Sequence, residues 1–452
     1  MVAFGRARDD GVDIFCDSPT IRACRMVFLL KKQSKRRSIM KSNTVKGTRD
    51  YLPKEVELRE FIQRSISETY KDAGFNQIVT PILESIENLD NSEGGDNLSL
   101  MFRVLKRGAK LKAAIEQQEF DALCDIGLRY DLTVPLSRYY ANNRANLISP
   151  MKCIQIGNAY RADNPQRGRY REFIQCDIDI LGVDSYWAEV ELIAVTAEAL
   201  TRMNIGDFRV RINDRQILRQ LFLMFGFDER EVSSLCVIFD KLDKIGSDGI
   251  ELELCQKGFD SLACTRFIEY IRTGDFSIDK CTELIGESEF TESIKRIIKA
   301  ANQIAKGKYR CEFDITLVRG QGYYTGAVFE IESLAYSGSL AGGGRYDNLI
   351  GKFVNERIPA VGFSIGLERI YDLLLERNFI IPRSKPKVAI FFETEYTEAY
   401  TVAQELKDKY CVSIFEKPQK LGKFLNRLQG EGYVGFWDTN MSQEMAFFKE
   451  CR

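Results

Sequence analysis

The chain has 452 residues, enough for two or three domains; its apolar fraction of 44% suits a globular protein with real cores, and no apolar run approaches a membrane span. It carries 64 Lys and Arg against 65 Asp and Glu, a net charge of −1, so any polyanion contact must use local patches. There is no histidine, no CxxC pair among twelve cysteines and no GxxxxGK[ST], which excludes protein imidazole chemistry and a P-loop, leaves a zinc ribbon unsupported and suits a reducing compartment.

Residues 1–45 read as a basic, disordered extension. Arg6, Arg8, Arg22 and Arg25 precede the run Lys31, Lys32, Lys35, Arg36 and Arg37. Asp9, Asp10, Asp13 and Asp17 argue against an organellar presequence, which is poor in acids. The alternative is an upstream stretch ahead of a start at Met40.

KGTRDYLP then leads into an amphipathic helix with Leu58, Phe61, Ile62, Ile66, Thr69 and Tyr70 on one stripe, closed by Gly74. FNQIVTPILE reads as a strand in which Pro81 suits an edge or an interface. Packing on the chain's own core and dimer formation both fit this pair. Residues 100–105 read as a strand, and Thr133 and Pro135 cap and open a helix in GLRYDLTVPLSRYYANN. Asp131 is either a further cap residue or a carboxylate for a ligand ammonium.

The rest is organised around residues 151–182, MKCIQIGNAYRADNPQRGRYREFIQCDIDILG, two strands joined by a charged loop that turns at Asn164-Pro165 and Gly168. Strand side chains alternate, so Ile174, Cys176, Ile178 and Ile180 share one face and Phe173, Gln175, Asp177 and Asp179 the other. With Arg161 at the end of the first strand, that second face offers a ring, an amide, two carboxylates and guanidiniums. A solvated ribbon is the ordinary outcome for such a face. Here Arg161 and Asp179 sit among apolar residues, which favours a site.

Residues 185–203 form an amphipathic helix, and 215–306 are mostly helical, an insertion between two sheet segments. Strands return at 309–332, where Phe313, Ile315, Leu317 and Arg319 share a face and RGQG turns tightly, so the stretch reads as a second hairpin. Gly342, Gly343 and Gly344 make either a flexible loop or a backbone that a ligand can approach closely. Residues 359–376 read as a strand running into a helix, with Arg369 in its second turn. Beyond a linker at 382–386, strand 387–392, helix 396–409, strand 411–415, helix 419–429 and strand 433–437 alternate as in a small parallel α/β domain. Lys417, Lys420, Lys423 and Arg427 recur at helical spacing, as a solvated stripe or as phosphate contacts.

Taken together, KGTRDYLP, YDLTVPLSRYYA, YRADNPQRGRYREFIQCDIDILG, VRGQGYYTG, AGGGRYDNLIG and GFSIGLERI, in that order across about 46–440, resemble the blocks of the histidyl-tRNA synthetases, which are class II aminoacyl-tRNA synthetases. VRGQGYYTG is characteristic of the histidine-specific members, and Asp at 179 rather than Glu resembles the eukaryotic-type ones. The resemblance implies an α+β fold with an antiparallel sheet flanked by helices. Residues 46–214 and 307–381 would be the catalytic domain, 215–306 a helical insertion, and 382–452 a C-terminal α/β anticodon-binding-like domain. That last domain stops about where the family adds another helix, implying weakened anticodon contact.

The implied activity joins histidine to the α-phosphate of ATP, with Mg²⁺ and without a structural metal, and passes the product to tRNA(His). A cytoplasmic homodimer built on the first helix and the Pro81 strand is implied, with no membrane contact; the basic extension leaves an organellar form open. Carried over residue by residue, Arg161 would grip the α-phosphate and Arg319 would neutralise the substrate carboxylate and the α-phosphate, making these two the catalytic residues. Arg369 would hold the γ-phosphate, Phe173 would stack on adenine and Asp163 would lie near its exocyclic amine. Asp131, Thr133 and Gln175 would hold the α-amino group. Asp179 and Tyr324 would bracket the imidazole, with Arg319 and Tyr323 completing the histidine site. Gln166, Arg167, Lys417, Lys420, Lys423 and Arg427 would touch tRNA. The alternative is a non-catalytic relative such as the regulatory subunit of ATP phosphoribosyltransferase. That protein shares the catalytic fold, lacks the anticodon-binding domain and erodes the ATP-binding arginines.

Overall fold

The structure is a computed structural model that describes residues 42–318, 322–334, 338–382, 384–439 and 445–448, except for the side chains of Asp96 and Asp243. The basic run before residue 42 and Arg319 lie outside the described residues. Lys46–Arg452 forms one compact unit.

Helix α1 (Pro53–Asp72) follows KGTRDYLP. Pro53 opens it, where a missing N–H leaves no bond unmade, and Glu55 accepts the Leu52 N–H at 2.7 Å. Leu58, Ile62, Ile66, Thr69 and Tyr70 bury the anticipated stripe. The strand expected across Pro81 is interrupted there: β1 (Asn76–Gln77) and β2 (Leu83–Ser85) lie on either side. The carbonyls of Thr80 and Pro81 accept from the buried Arg129 guanidinium, at 2.8 and 3.3 Å, instead of from a neighbouring strand. β2, β3 (Arg103–Leu105) and β4 (Cys124–Leu128) form a small antiparallel sheet in the order β2-β4-β3. Helix α2 (Thr133–Asn143) follows.

The main sheet comprises β1, β5 (Met151–Tyr160), β6 (Glu172–Leu181), β7 (Phe208–Asp214), β8 (Arg310–Phe313), β9 (Ala327–Ser333), β10 (Ser339–Arg345) and β11 (Ala360–Gly366). Their order is β1-β5-β6-β11-β10-β9-β7-β8, antiparallel except for the β1–β5 and β7–β8 pairs. Helix α3 (Trp187–Arg202) connects β6 to β7. Between β7 and β8 run α4 (Arg215–Phe225), α5 (Val232–Phe239), α6 (Leu242–Lys257), α7 (Ser261–Thr273), α8 (Ile278–Ile285) and α9 (Glu289–Ala305). Helix α10 (Leu367–Glu376) follows β11. Ile174, Cys176, Ile178 and Ile180 of β6 pack with α1 and α3 in the principal core, as the period-two alternation requires.

One expectation fails here, and of the two readings of the triple glycine the loop falls. The stretch at 309–332 is not a hairpin, because β7 lies between β8 and β9 and pairs with both. β8 ends at Phe313 because Asp314 begins a turn: its carboxylate accepts the Thr316 N–H at 2.9 Å and pairs with Arg211 of β7 at 2.6 Å. The triple glycine is not a loop but the middle of β10. A Cβ at Gly343 would sit 2.1 Å from the Gly362 carbonyl oxygen, so only glycine lets these strands approach so closely.

The C-terminal elements are β12 (Lys387–Phe392), α11 (Tyr396–Leu406), β13 (Cys411–Glu416), α12 (Leu421–Gly430) and β14 (Tyr433–Asp438), in the alternation the sequence predicts. The sheet order is β13-β12-β14, all parallel, with β15 (Ala446–Phe447) added antiparallel. The four-residue basic stripe is shorter than expected. Pro418 disfavours helix at Lys417, which lies past β13 and pairs with Glu393 and Asp438 at 2.7 and 2.9 Å. Lys420 is the N-cap, so only Lys423 and Arg427 lie within α12. Lys54 donates to the Gly430 carbonyl and Lys387 pairs with Glu57, which seats this sheet and its helices on α1. Among the described residues no helix is long and apolar enough to cross a membrane.

Candidate active site

A cavity of about 850 Å³ borders the residues of β6 that alternate with its core-facing set. Phe173, Gln175, Asp177 and Asp179 all line it. Their cross-strand neighbours on β11 are Gly366 opposite Gln175, Ser364 opposite Asp177 and Gly362 opposite Asp179. On β5, Gly157 stands opposite Gln175. Gly366, Ser364 and Gly362 border the cavity and leave its space open: a Cβ at Gly362 would lie 2.1 Å from Asp179 Oδ1, whereas one at Gly157 would meet the Arg129 guanidinium at 2.4 Å. The sheet thus alternates a row of polar side chains with a row of near-bare backbone.

Arg161 and Phe173 meet at one end. The Arg161 Nε donates to the Tyr130 carbonyl at 3.0 Å, and its guanidinium carbon lies 5.2 Å from the centre of the Phe173 ring. The charged loop between β5 and β6 closes through paired backbone bonds between Gln166 and Arg169, 3.1 and 2.9 Å, with Gly168 at φ +68°. Arg171 fastens it: its N–H donates to the Gly47 carbonyl at 2.8 Å and its Nε to the Asp163 carbonyl at 3.1 Å. KGTRDYLP is therefore a brace for this loop. Asp163 lines the cavity, as does Arg369, which donates to the Ser339 carbonyl. Arg369 is in the first turn of α10, not the second, because β11 continues to Gly366.

Thr133, Tyr323, Tyr324 and Asp179 line the other part. Asp179 Oδ1 accepts from the Tyr346 hydroxyl at 2.7 Å. Burial pushes its carboxyl up to about 7 despite that hydrogen bond, and the nearby Asp131 charge adds to the rise. The Tyr323 and Tyr324 rings contact edge to face, with centres 5.0 Å apart. Asp131 is buried but does not line the cavity. Its Oδ1 accepts the Val134 N–H at 3.2 Å, capping α2, and its Oδ2 accepts from the Tyr323 hydroxyl at 3.1 Å.

Residues 47–370 match the family model described as histidyl-tRNA synthetase. The chain belongs to the histidyl-tRNA synthetase family. The histidine–tRNA ligase of Leifsonia xyli subsp. xyli (strain CTCB07) is 41% identical over 341 residues, covering 73% of this chain and 79% of that one. The crystal structure of histidyl-tRNA synthetase from Nostoc sp. PCC 7120 has a TM-score of 0.71 at 27% identity, covering 88% of this chain and 91% of that one. A solved structure described as an ATP phosphoribosyltransferase regulatory subunit/histidyl-tRNA synthetase, from Bacillus halodurans C, shares the fold. Its TM-score is 0.70 at 22% identity, covering 89% and 98% of the two chains.

In this synthetase the cavity gathers Arg161, Asp163, Phe173 and Arg369 with Thr133, Gln175, Asp179, Tyr323 and Tyr324. Val318 and Tyr323, on either side of the undescribed 319–321 segment, line it too. Gln166 and Arg167 do not, and Arg167 pairs with Glu376; the four C-terminal cations are equally absent from its walls. Asp177, which the strand alternation places on the same face, lines the cavity as well. Sequence reasoning missed several lining residues: Ser364 was detectable from the alternation of its own strand, and Tyr346 from its place after the triple glycine. Arg211, Glu330 and Glu332 carried no signal, because only the pairing of β7 with β9 brings them to the site. Glu368, also in the wall, accepts Arg59 of α1 at 2.9 Å and the Ile174 N–H of β6 at 3.2 and 3.1 Å. Among the described residues no group of three His, Cys, Asp or Glu side chains is placed to hold a metal ion.

Proposed function

We propose that this synthetase acts as a histidine–tRNA ligase, a cytoplasmic homodimer that takes histidine, ATP with Mg²⁺ and tRNA(His) as substrates. The observation that carries the reading is a single cavity bordered by both the Arg161–Phe173 pair and the Asp179–Tyr324 set. One group suits a nucleotide and the other a small heterocycle with two ring nitrogens. In the first step a histidine carboxylate oxygen attacks the α-phosphorus and pyrophosphate leaves with its bonding pair. Charge shifts among phosphate oxygens, so fixed cations are the principal requirement.

Arg161 holds the α-phosphate, Arg319 the carboxylate and the α-phosphate, and Arg369 the γ-phosphate. Phe173 stacks on adenine, and Asp163 faces the exocyclic amine. Asp131, Thr133 and Gln175 hold the α-amino group; Asp179 and Tyr324 bracket the imidazole beside Tyr323. Polar partners on both ring nitrogens discriminate where apolar packing does not. In the second step the tRNA ribose hydroxyl attacks the aminoacyl carbonyl and AMP leaves. A phosphate oxygen of the adenylate takes the hydroxyl proton, a route that needs no protein imidazole.

Helices α4–α9 serve as the insertion, residues 46–214 and 307–381 as the catalytic domain, and 382–452 as an anticodon-binding-like domain. There Lys423 and Arg427, with Lys417 and Lys420 nearby, contact tRNA phosphates. Gln166 and Arg167 approach the tRNA from the β5–β6 loop. Pyrophosphate exchange into ATP, run with each of the twenty amino acids, tests the reading: exchange depends on histidine alone. Arg319→Ala abolishes that exchange and leaves the fold intact. A chain that folds and binds histidine yet gives no exchange is a non-catalytic regulatory relative instead.

A further inference from the structure

Residues 322–326 bring Tyr323 and Tyr324 to the cavity, yet they belong to no helix or strand. Their backbone carbonyls therefore need donors from elsewhere. The first two residues of α4 supply them. Arg215 Nη1 donates to the Gly322 carbonyl at 3.0 Å and to the Tyr324 carbonyl at 2.9 Å. The Arg215 backbone N–H donates to the Gly326 carbonyl at 3.2 Å, and Gln216 Nε2 to the Thr325 carbonyl at 3.0 Å. The helix start is itself fixed, because the Asp214 side chain accepts the Gln216 N–H at 2.7 Å. From the sheet side, the Thr325 N–H donates to the Arg345 carbonyl at 2.8 Å and its hydroxyl accepts the Asp347 N–H at 3.1 Å.

One guanidinium nitrogen thus ties together the residues on either side of Tyr323. Its planar, permanently charged group holds both carbonyls in a set direction. The Tyr324 ring lies against bare backbone: a Cβ at Gly344 would be 2.9 Å from its Cδ1. No side chain at 344 wedges that ring, so the path of its own main chain governs where its hydroxyl stands. Without the Arg215 side chain the Gly322 and Tyr324 carbonyls can part, and both rings move with them.

We propose that Arg215 is a positioning residue for the amino-acid pocket, setting the places of Tyr323 and Tyr324 through the Gly322 and Tyr324 carbonyls. This rests on the histidine-activating reading above. It makes the first residue of the helical insertion part of the apparatus that fits the site to its amino acid.

Pyrophosphate exchange separates a displaced pocket from a damaged fold. Arg215→Ala should raise the KM for histidine at least about tenfold, since small misplacements of binding groups are costly. The KM for ATP should hold, because Phe173 and Arg369 stand on β6 and α10, away from this segment. Arg215→Met keeps the aliphatic stem and is measured beside it, so that a folded variant is in hand if either fails to fold. Arg215→Lys should recover most of the loss, since both side-chain contacts come from one nitrogen that an ammonium can replace. Arg219→Ala removes another α4 guanidinium, one paired with Glu229 at 2.6 Å, and should change neither constant.

An unchanged KM for histidine in a folded Arg215 variant overturns the assignment, as does a parallel rise in both KM values that Arg215→Lys fails to repair. Wild-type protein that neither binds histidine in calorimetry nor gives histidine-dependent exchange rejects the histidine-activating reading, and the assignment with it. Failure of that reading is thereby distinguished from failure of the assignment alone.

Discussion

Asp179 shows what burial does to a binding carboxylate. Its pKa in the fold is about 7, well above its ordinary 3.8, with burial the larger cause. The folded chain therefore holds a proton there that the unfolded chain releases near pH 4. The resulting stabilisation is complete at acid pH and declines as pH rises through about 7. Asp214, the buried N-cap of α4, is likewise raised to about 7 and adds a second contribution of the same sign. Each is worth at most roughly 4 kcal/mol, from about three units at 1.36 kcal/mol each. Denaturation midpoints of the free protein should thus fall between pH 5 and pH 8. Asp179→Asn should remove part of that slope, and Asp179→Asn with Asp214→Asn more of it. An unchanged slope in the double variant would show that neither group titrates in this interval. A second expectation concerns Gly362, whose added Cβ would meet Asp179 Oδ1 at 2.1 Å and the Tyr346 ring at 3.3 Å. Gly362→Ala displaces the carboxylate, so the KM for histidine in pyrophosphate exchange should rise at least about tenfold, a modest 1.4 kcal/mol. The KM for ATP should hold; a parallel rise in both would mean that the whole sheet had moved.

At the scale of elements, Glu368 joins three of them. It is buried at the start of α10, pairs with Arg59 of α1 at 2.9 Å, and accepts the Ile174 N–H where β6 begins its run beside the cavity. Arg59 also lies over the Tyr51 ring at 4.0 Å, so the KGTRDYLP segment is drawn into the same cluster. Glu368→Ala strands a buried guanidinium and should cost about 3–5 kcal/mol of unfolding free energy. Chemical denaturation measures this, and a loss below about 1 kcal/mol would show that water compensates Arg59. How far such elements are legible in the sequence depends on the range of the interactions that form them. The alternation in β6 and the strand–helix alternation of the C-terminal sheet are local, and both emerged. The partnership of β8 and β9 with β7 was hidden because nearly one hundred residues separate β7 from β8 along the chain, and no local pattern encodes that pairing. The helix at Leu421 starts late for a local reason that helical spacing alone obscures: Pro418 sits inside the basic run. Of the candidate site, the β6 row was readable residue by residue, whereas Arg211 and Glu330 arrived through topology.

For the whole molecule, the small β2-β4-β3 sheet and its surroundings carry apolar side chains that this chain leaves uncovered. Val79 is 83% exposed, and Ile82, Leu83, Leu105, Ile115 and Phe120 are exposed as well. Isolated apolar residues on a surface are ordinary, but a group of six on and beside one sheet is the composition of an interface. The location bears on catalysis. Arg129 is the first residue after β4, and its guanidinium clasps the Thr80 and Pro81 carbonyls next to Val79. Tyr130, Asp131 and Thr133 follow immediately, so a partner pressing on Val79 and Leu83 would steady the strand end that leads into the cavity. The wild-type chain should therefore sediment as a dimer, with a mass near twice 51.8 kDa. Val79→Asp with Leu83→Asp places two charges where burial is required, each costing several kcal/mol unless it escapes to water. The double variant should sediment as a monomer, keep its secondary structure, and lose most histidine-dependent exchange while still binding ATP. A wild-type chain that remains monomeric at high concentration, or a monomeric variant with full exchange, would separate this apolar surface from the activity and leave the cavity complete within one chain.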